Sequence, residues 1–303
     1  MGSTPHFSWR GYALLIGSML LVGAYVAFSK ALLPYFPPFV LAWLRFIIAA
    51  VFMAPWLLEW RGQWRGVSRM NRWVLFGMSF FGNFLFTICM LFGVANTSVS
   101  AAGIIMSLLP ATIALFSVFF LKERLSGAVI LAIVLAVCGV ASLSLNKTDA
   151  SQTLLGNVLM VGALACEAMY VVGAKHLTAG FSAKQIAVSM NTTGLLLTTP
   201  LGLWQTSQMD LSHVPLNAWL LLALYAVAAS QIAPWLWFLG LKHIPANRAG
   251  VLTVALPISS ATIGVFWFKE LLTVAHVFAF VCALLGVWLV TRQPLQKNFK
   301  KAA

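Results

Sequence analysis

The sequence predicts an all-α integral membrane protein, with ten transmembrane helices arranged as two related five-helix repeats of opposite orientation. Three observations predict it. Of 303 residues, 61% are hydrophobic and 8% are charged, against roughly 45–50% and about 25% in ordinary soluble domains; so few charges cannot cover a water-facing surface. The apolar residues fall into ten runs of about 20, the length that crosses a hydrocarbon core of about 30 Å at about 1.5 Å per residue. The sequence also matches itself at a shift of about half its length.

Taken in order, the spans cover residues 10–29, 38–58, 72–94, 100–121, 126–145, 154–174, 184–205, 216–240, 248–268 and 273–291. The first run follows Arg10 as a secretory signal would. It lacks a small-x-small cleavage site, is long for a signal core and has a counterpart later in the chain, so it is read as a span. The connections are short and carry turn formers such as Pro34 and Pro38, which leaves no room for a soluble domain. Of the 19 Lys and Arg, Arg45 lies within a span and Lys30, Lys147 and Lys269 fall on one side. The other fifteen share the opposite side, so both termini are expected in the cytoplasm of a multi-pass protein of the inner (plasma) membrane. Trp9, Trp60, Trp64, Trp73, Trp204 and Trp219 lie near span ends, where indole rings favour the headgroup region. A net charge of +13 would suggest nucleic acid in a soluble protein; here the basic clusters between apolar runs exclude that partner. Cys89, Cys138, Cys166 and Cys282 fall inside apolar runs without CxxC spacing, and are expected to be small buried apolar residues rather than disulfides or metal ligands.

A shift of 147 lays Gly103, Pro110, Lys122, Glu123, Leu125 and Gly139 on Gly250, Pro257, Lys269, Glu270, Leu272 and Gly286. A shift of 145 lays Gly11, Gly17, Tyr25, Lys30 and Pro55 on Gly156, Gly162, Tyr170, Lys175 and Pro200. The unit is five helices. Five is odd, so residues 148–303 must enter the membrane upside down relative to residues 1–147, the two halves making one transport domain. Lys122–Glu123 and Lys269–Glu270 then lie at opposite faces, which favours a tight helix corner over one-sided chemistry. Ala132 and Ala136 correspond to Ala279 and Ala283, a small-xxx-small spacing that marks the fifth and tenth spans for packing and as a possible homodimer surface.

The stretch Ser100-Ala-Ala-Gly-Ile-Ile-Met-Ser-Leu-Leu-Pro110, running on to Lys122-Glu123-Arg124-Leu125, resembles the EamA family of the drug/metabolite transporter superfamily. So does its second copy, Gly250 to Pro257 and then Lys269-Glu270-Leu271-Leu272. The overall look is most similar to YddG-type exporters of aromatic and other amino acids. That resemblance implies an exporter whose central cavity is formed mainly by the first four spans of each half.

Candidate residues are those that are costly in lipid. Pro110 and Pro257 interrupt the fourth and ninth spans and release the carbonyls of Met106 and Thr253, for a site, a gate or a packing kink. Phe76, Phe80, Asn83, Phe84 and Thr87 share one helical face, as do Gln231 and Trp235 one turn apart; either face lines a cavity or packs. Arg45 and Glu167 are ionisable within spans and are functional candidates by default. Arg45 lies roughly 10 Å below one end of its span; it either meets a substrate carboxylate or snorkels outward. Glu167 shares a face with Ala163, Tyr170 and Ala174, which corresponds to Ser18, Val22, Tyr25 and Ser29 in the first span. Its carboxyl could carry a proton, attract a substrate ammonium, or simply bond to Tyr170. His276 is expected at the membrane–water interface.

The function read from these features is a secondary transporter, exporting small neutral metabolites such as aromatic and other amino acids by alternating access. No Walker A sequence is present, so energy must come from a gradient. A membrane-embedded enzyme is the alternative, but no HExxH, GxSxG or paired intramembrane carboxylates occur; a passive channel is another. No cofactor or metal is expected.

Overall fold

The computed structural model describes residues 9–60, 67–121, 127–145, 153–177, 181, 183–241, 243, 252–253 and 255–291. Every regular element among them is helical, as lipid demands: with no water to satisfy backbone groups, an apolar run must close its hydrogen bonds internally. The first half contains α1 (Trp9–Leu32), α2 (Pro38–Trp60), α3 (Arg69–Ser79), a π-helical segment (Phe80–Leu85), α4 (Phe86–Ala95), α5 (Val99–Met106), α6 (Leu109–Leu121) and α7 (Gly127–Leu145). The second contains α8 (Leu154–Leu177), α9 (Ala183–Thr206), α10 (Leu216–Val227), a second π segment (Ala228–Ile232), α11 (Ala233–Leu241), α12 (Ala255–Phe266) and α13 (Val274–Thr291). Five stretches among the described residues are long and apolar enough to cross a membrane: Trp9–Leu32, Pro38–Trp56, Arg69–Ala95, Lys184–Thr206 and Leu216–Trp237. Five further apolar helices are shorter. The fourth expected span is divided because α5 stops at Met106 and α6 restarts at Leu109, with Pro110 in its first turn, where a missing N–H costs least. Pro257 sits likewise in the first turn of α12.

Starts are fixed by side-chain caps. Ser68 accepts from Asn71 N at 3.2 Å to begin α3, and Ser98 accepts from Ala101 N at 3.1 Å to begin α5. At α2 the cap comes from the other half: Gln205 Oε1 accepts from Phe39 N and Val40 N at 2.9 and 3.3 Å. Such caps satisfy donors that the first helical turn leaves orphaned.

The helices of one half pack against those of the other. Ser18 Oγ donates to Ala233 O (2.7 Å), joining α1 to α11, and Ser259 Oγ donates to Leu20 O (2.7 Å), joining α12 to α1. Trp43 Nε1 donates to Thr199 Oγ1 (3.2 Å) between α2 and α9. A Cβ on Gly103 would overlap Ser260, so only glycine lets α5 approach α12 this closely. The fifth and tenth spans, expected to be packing elements, pack on one another as α7 and α13, with Ala132, Ala279 and Ala283 buried and Gly139 against Ala279. The central core holds Val26, Phe36, Leu41, Met90, Met160 and Tyr225, while Val51, Val137 and Phe266 point outward as a lipid-facing surface requires. Cys138, expected to be buried, faces outward; the other three cysteines are buried or half-buried, and all four are free.

Candidate functional site

Arg45 lies seven residues into α2, roughly 10 Å down a helix, and its side chain is 4% exposed. The snorkelling alternative is therefore set aside: the guanidinium turns inward. Nη2 donates to Asn83 Oδ1 (3.1 Å) and to Thr87 Oγ1 (2.9 Å). Asn83 sits in the first π segment and Thr87 in α4, one turn apart. Asn83 Nδ2 in turn donates to Met190 O on α9 (2.8 Å), so a helix of the second half holds the amide that holds the arginine. This chain of bonds fixes which way the amide points.

Aromatic rings close around the guanidinium. Its Cζ lies 4.5 Å from the Phe46 ring centre and 6.0 Å from that of Tyr225, which is fully buried on α10. Tyr25 of α1 meets Tyr225 edge-on, with ring centres 6.3 Å apart at 63°. The Tyr225 hydroxyl is buried against the Arg45 side chain, which pairs with it. Glu167, half-buried on α8, is near enough for its charge to act on Tyr25 and Tyr170. The Arg45 charge acts on Tyr25 and Tyr225. Tyr25 thus stands in the field of both charges, yet Arg45 and Glu167 form no ion pair.

Of the residues expected at a site, the structure gathers Tyr25, Arg45, Asn83, Thr87, Glu167 and Tyr170; Tyr170 also packs where a Cβ on Gly82 would sit. Phe80 stands in an aromatic row with Phe76 and Phe84, at 6.4 and 5.5 Å between ring centres, and Phe76 at its end is exposed. Ser18 is committed to Ala233 O, away from any ligand role. Met106 and Pro110 flank the break between α5 and α6, and Thr253 and Pro257 the corresponding place before α12; Met106, Thr253 and Pro257 are buried. Gln231 is half-buried, but Trp235 is 61% exposed on the outside of the bundle. Tyr225 is the site residue that the sequence reading missed. Its signal was a phenol in mid-span, a group that seeks a polar partner.

A second polar cluster lies at one end of the bundle, where α1, α4 and α12 finish. Glu270 accepts from Val99 N (2.7 Å), Ser100 N (3.0 Å) and Ser100 Oγ (2.7 Å), a carboxylate on the positive end of α5. Lys30 Nζ is 4.0 Å from Glu270 Oε1 and donates to Thr97 O; Thr97 Oγ1 donates to Asn157 Oδ1 at 2.7 Å. Lys269, with φ 56°, makes the corner that points Glu270 inward. His276, rather than lying at a membrane–water interface, is 2% exposed and bonds Thr273 Oγ1 (2.9 Å) and Ser98 Oγ (3.3 Å). Lys122 and Glu123, the repeat counterparts of the corner, lie outside the described residues.

Away from both clusters, an apolar groove of about 430 Å³ between α1 and α12 is lined by Leu20, Leu21, Ala24, Ile258, Ser259, Thr262 and Ile263. It holds no charged group and offers no recognition chemistry.

Two stretches of the chain, residues 9–145 and 154–292, match the EamA-like transporter family. Over 296 residues the chain is 30% identical to the uncharacterized transporter YetK of Bacillus subtilis (strain 168), covering 96% of this chain and 90% of that one. It is 25% identical to the uncharacterized transporter YyaM of the same organism, covering 91% and 92%. A third relative, an uncharacterized transporter of Archaeoglobus fulgidus, is 23% identical and covers 86% and 90%. Among solved structures, a crystal structure 20% identical in sequence superposes with a TM-score of 0.59 over 92% of this chain and 96% of its own, a likeness of fold.

Proposed function

Because the chain belongs to the EamA-like transporter family, we propose that it is a secondary carrier exporting small neutral metabolites, aromatic and other amino acids among them, by alternating access between two inverted five-helix halves. Transport by a multi-pass membrane protein is the family's activity; substrate class, direction and mechanism are the proposal. One observation carries it. Arg45, Asn83, Thr87, Tyr25, Tyr225 and Glu167 converge from helices of both halves on one place inside the bundle, and the junction of the halves is where inverted-repeat carriers bind their substrates.

Two features support the inverted arrangement. The π segment Ala228–Ile232 coincides with residues 81–85 of the first under the 147-residue shift. The helix pairs also map onto one another: α4 packs on α8 as α11 packs on α1, and α2 on α9 answers itself.

Counterflow tests the proposal. Proteoliposomes loaded with unlabelled phenylalanine should take up labelled phenylalanine transiently above equilibrium, with a saturable rate. Linear flux without trans-acceleration would indicate a channel, and flux no greater than in protein-free vesicles would remove amino acids as substrates.

A further inference from the structure

Two helix starts meet at His276. Its side chain stands in the first turn of α13 and reaches back to the residue that begins the helix: Thr273 N donates to Nδ1 at 3.3 Å, and the Thr273 hydroxyl reaches the same nitrogen at 2.9 Å. Thr273 O accepts from Val277 N (3.2 Å), so Thr273 is the N-cap, and His276 holds the place, three residues on, that Glu or Gln takes in a capping box. A backbone N–H can only donate, so Nδ1 accepts and the ring proton sits on Nε2. Nε2 in turn donates to Ser98 Oγ at 3.3 Å, and Ser98 is the N-cap of α5 in the other half. One buried, neutral imidazole thus joins the first turns of two helices, one from each half.

This bonding requires a single protonation state. A second proton, on Nδ1, would face the Thr273 N–H donor against donor, and would set a cation on the positive ends of α13 and α5, where it is unfavourable. No free counter-ion stands by. The helices packed most closely on α13, which are α5, α6 and α7, carry no charged residue within their described lengths. In the connection before α13, Lys269 is exposed, and Glu270 is committed to Val99 N, Ser100 N and Ser100 Oγ with Lys30 of α1 4.0 Å away. A Glu270 that turned to a cationic His276 would leave the first turn of α5 uncapped; one that stayed would leave the cation unpaired. Either way the tie between α5 and α13 loosens. The opposite corner has no such group, since the 147-residue shift lays Glu270 on Glu123 but His276 on Val129.

We propose that His276 is a pH-sensitive latch between the halves: neutral, it ties α5 to α13 at this end of the bundle; protonated, it lets them part. Histidine is the side chain that changes charge between about pH 5 and 8, and a proton that binds the parted form better than the closed one shifts the population toward it. The tie is complete above the imidazole's titration and lost below it. As a device that biases a transport cycle toward the state open at this end, the latch rests on the carrier reading; as a contact between two helices, it does not.

Amide hydrogen exchange, read by mass spectrometry on the purified full-length protein in peptides covering residues 98–106 and 273–280, tests the latch at about pH 5.5 and about pH 7.5. Comparison with His276→Gln at the same pH cancels the intrinsic pH dependence of exchange, and Gln keeps an acceptor for Thr273 N without titrating. At the lower pH the wild-type peptides should exchange at least about tenfold faster than those of His276→Gln, within the usual range of coupling between two sites; at the higher pH the two proteins should agree within about twofold. His276→Ala, which lacks the acceptor at any pH, should exchange fast at both. Equal exchange in wild type and His276→Gln at both pH values would overturn the latch. So would an acid release that persists in His276→Gln, which would move the switch to Glu270. Phenylalanine counterflow keeps the two readings apart. Release that depends on His276 with no counterflow leaves the latch standing and removes amino-acid export; counterflow with no such release leaves the carrier standing and removes the latch.

Discussion

Asn83 shows how much a single amide does in this bundle: its oxygen accepts from Arg45 and its nitrogen donates to Met190 O, so one side chain ties α2, the first π segment and α9 together. Asn83→Ala removes both bonds, leaving a buried carbonyl without its donor and an arginine with one acceptor. The cost should be about 1–3 kcal/mol, visible as a lower thermal midpoint of the purified protein. An Asn83→Ala protein as heat-stable as wild type would mean that the network does not hold the helices. At this scale the sequence was legible wherever a polar group interrupted an apolar run: Arg45, Asn83, Thr87 and Glu167 all stood out for that reason. Tyr225 did not, because what singles it out is a neighbour 180 positions earlier in the chain. Trp235 was misplaced because a one-turn spacing says which residues share a face and not whether that face turns inward.

The elements were legible by length and apolarity, and the close packing of α7 and α13 by small-residue spacing, though not that they pack on each other. The π segments carried no signal, since their composition matches that of the helices they interrupt. The corner at Lys269–Glu270 was expected to be structural, and its contacts show the form this takes: one carboxylate caps α5 from the connection between α12 and α13. With Gly103 pressed on Ser260, these contacts hold α5 of one half against α12 of the other at one end of the bundle. Glu270→Ala should therefore loosen that end. In a protein lacking its native cysteines and carrying Ser260→Cys, labelling by a water-soluble maleimide should be at least about tenfold faster with Glu270→Ala than without it, the equivalent of about 1.4 kcal/mol on an opening equilibrium. Equal rates would show that Glu270 caps a helix and seals nothing.

At the scale of the whole molecule, Arg45 and Glu167 are opposite charges kept apart within the membrane and drawn from different halves. Their separation has an electrical consequence. Fixed side chains return to their places with each turn of the cycle, and a zwitterion such as phenylalanine has no net charge, so carrying one across moves no net charge against the membrane voltage. A carrier that moved one charge would gain or lose about 2.3 kcal/mol for every 100 mV, about a 50-fold change in the accumulation it sustains. Phenylalanine flux in proteoliposomes should accordingly be the same with and without a potassium diffusion potential set by valinomycin. A flux that followed the potential would mean that a further ion travels with the solute. Electrical silence would leave the solute's own gradient to drive net flow, so that the membrane releases what the cell has made in excess and halts once the two sides are level.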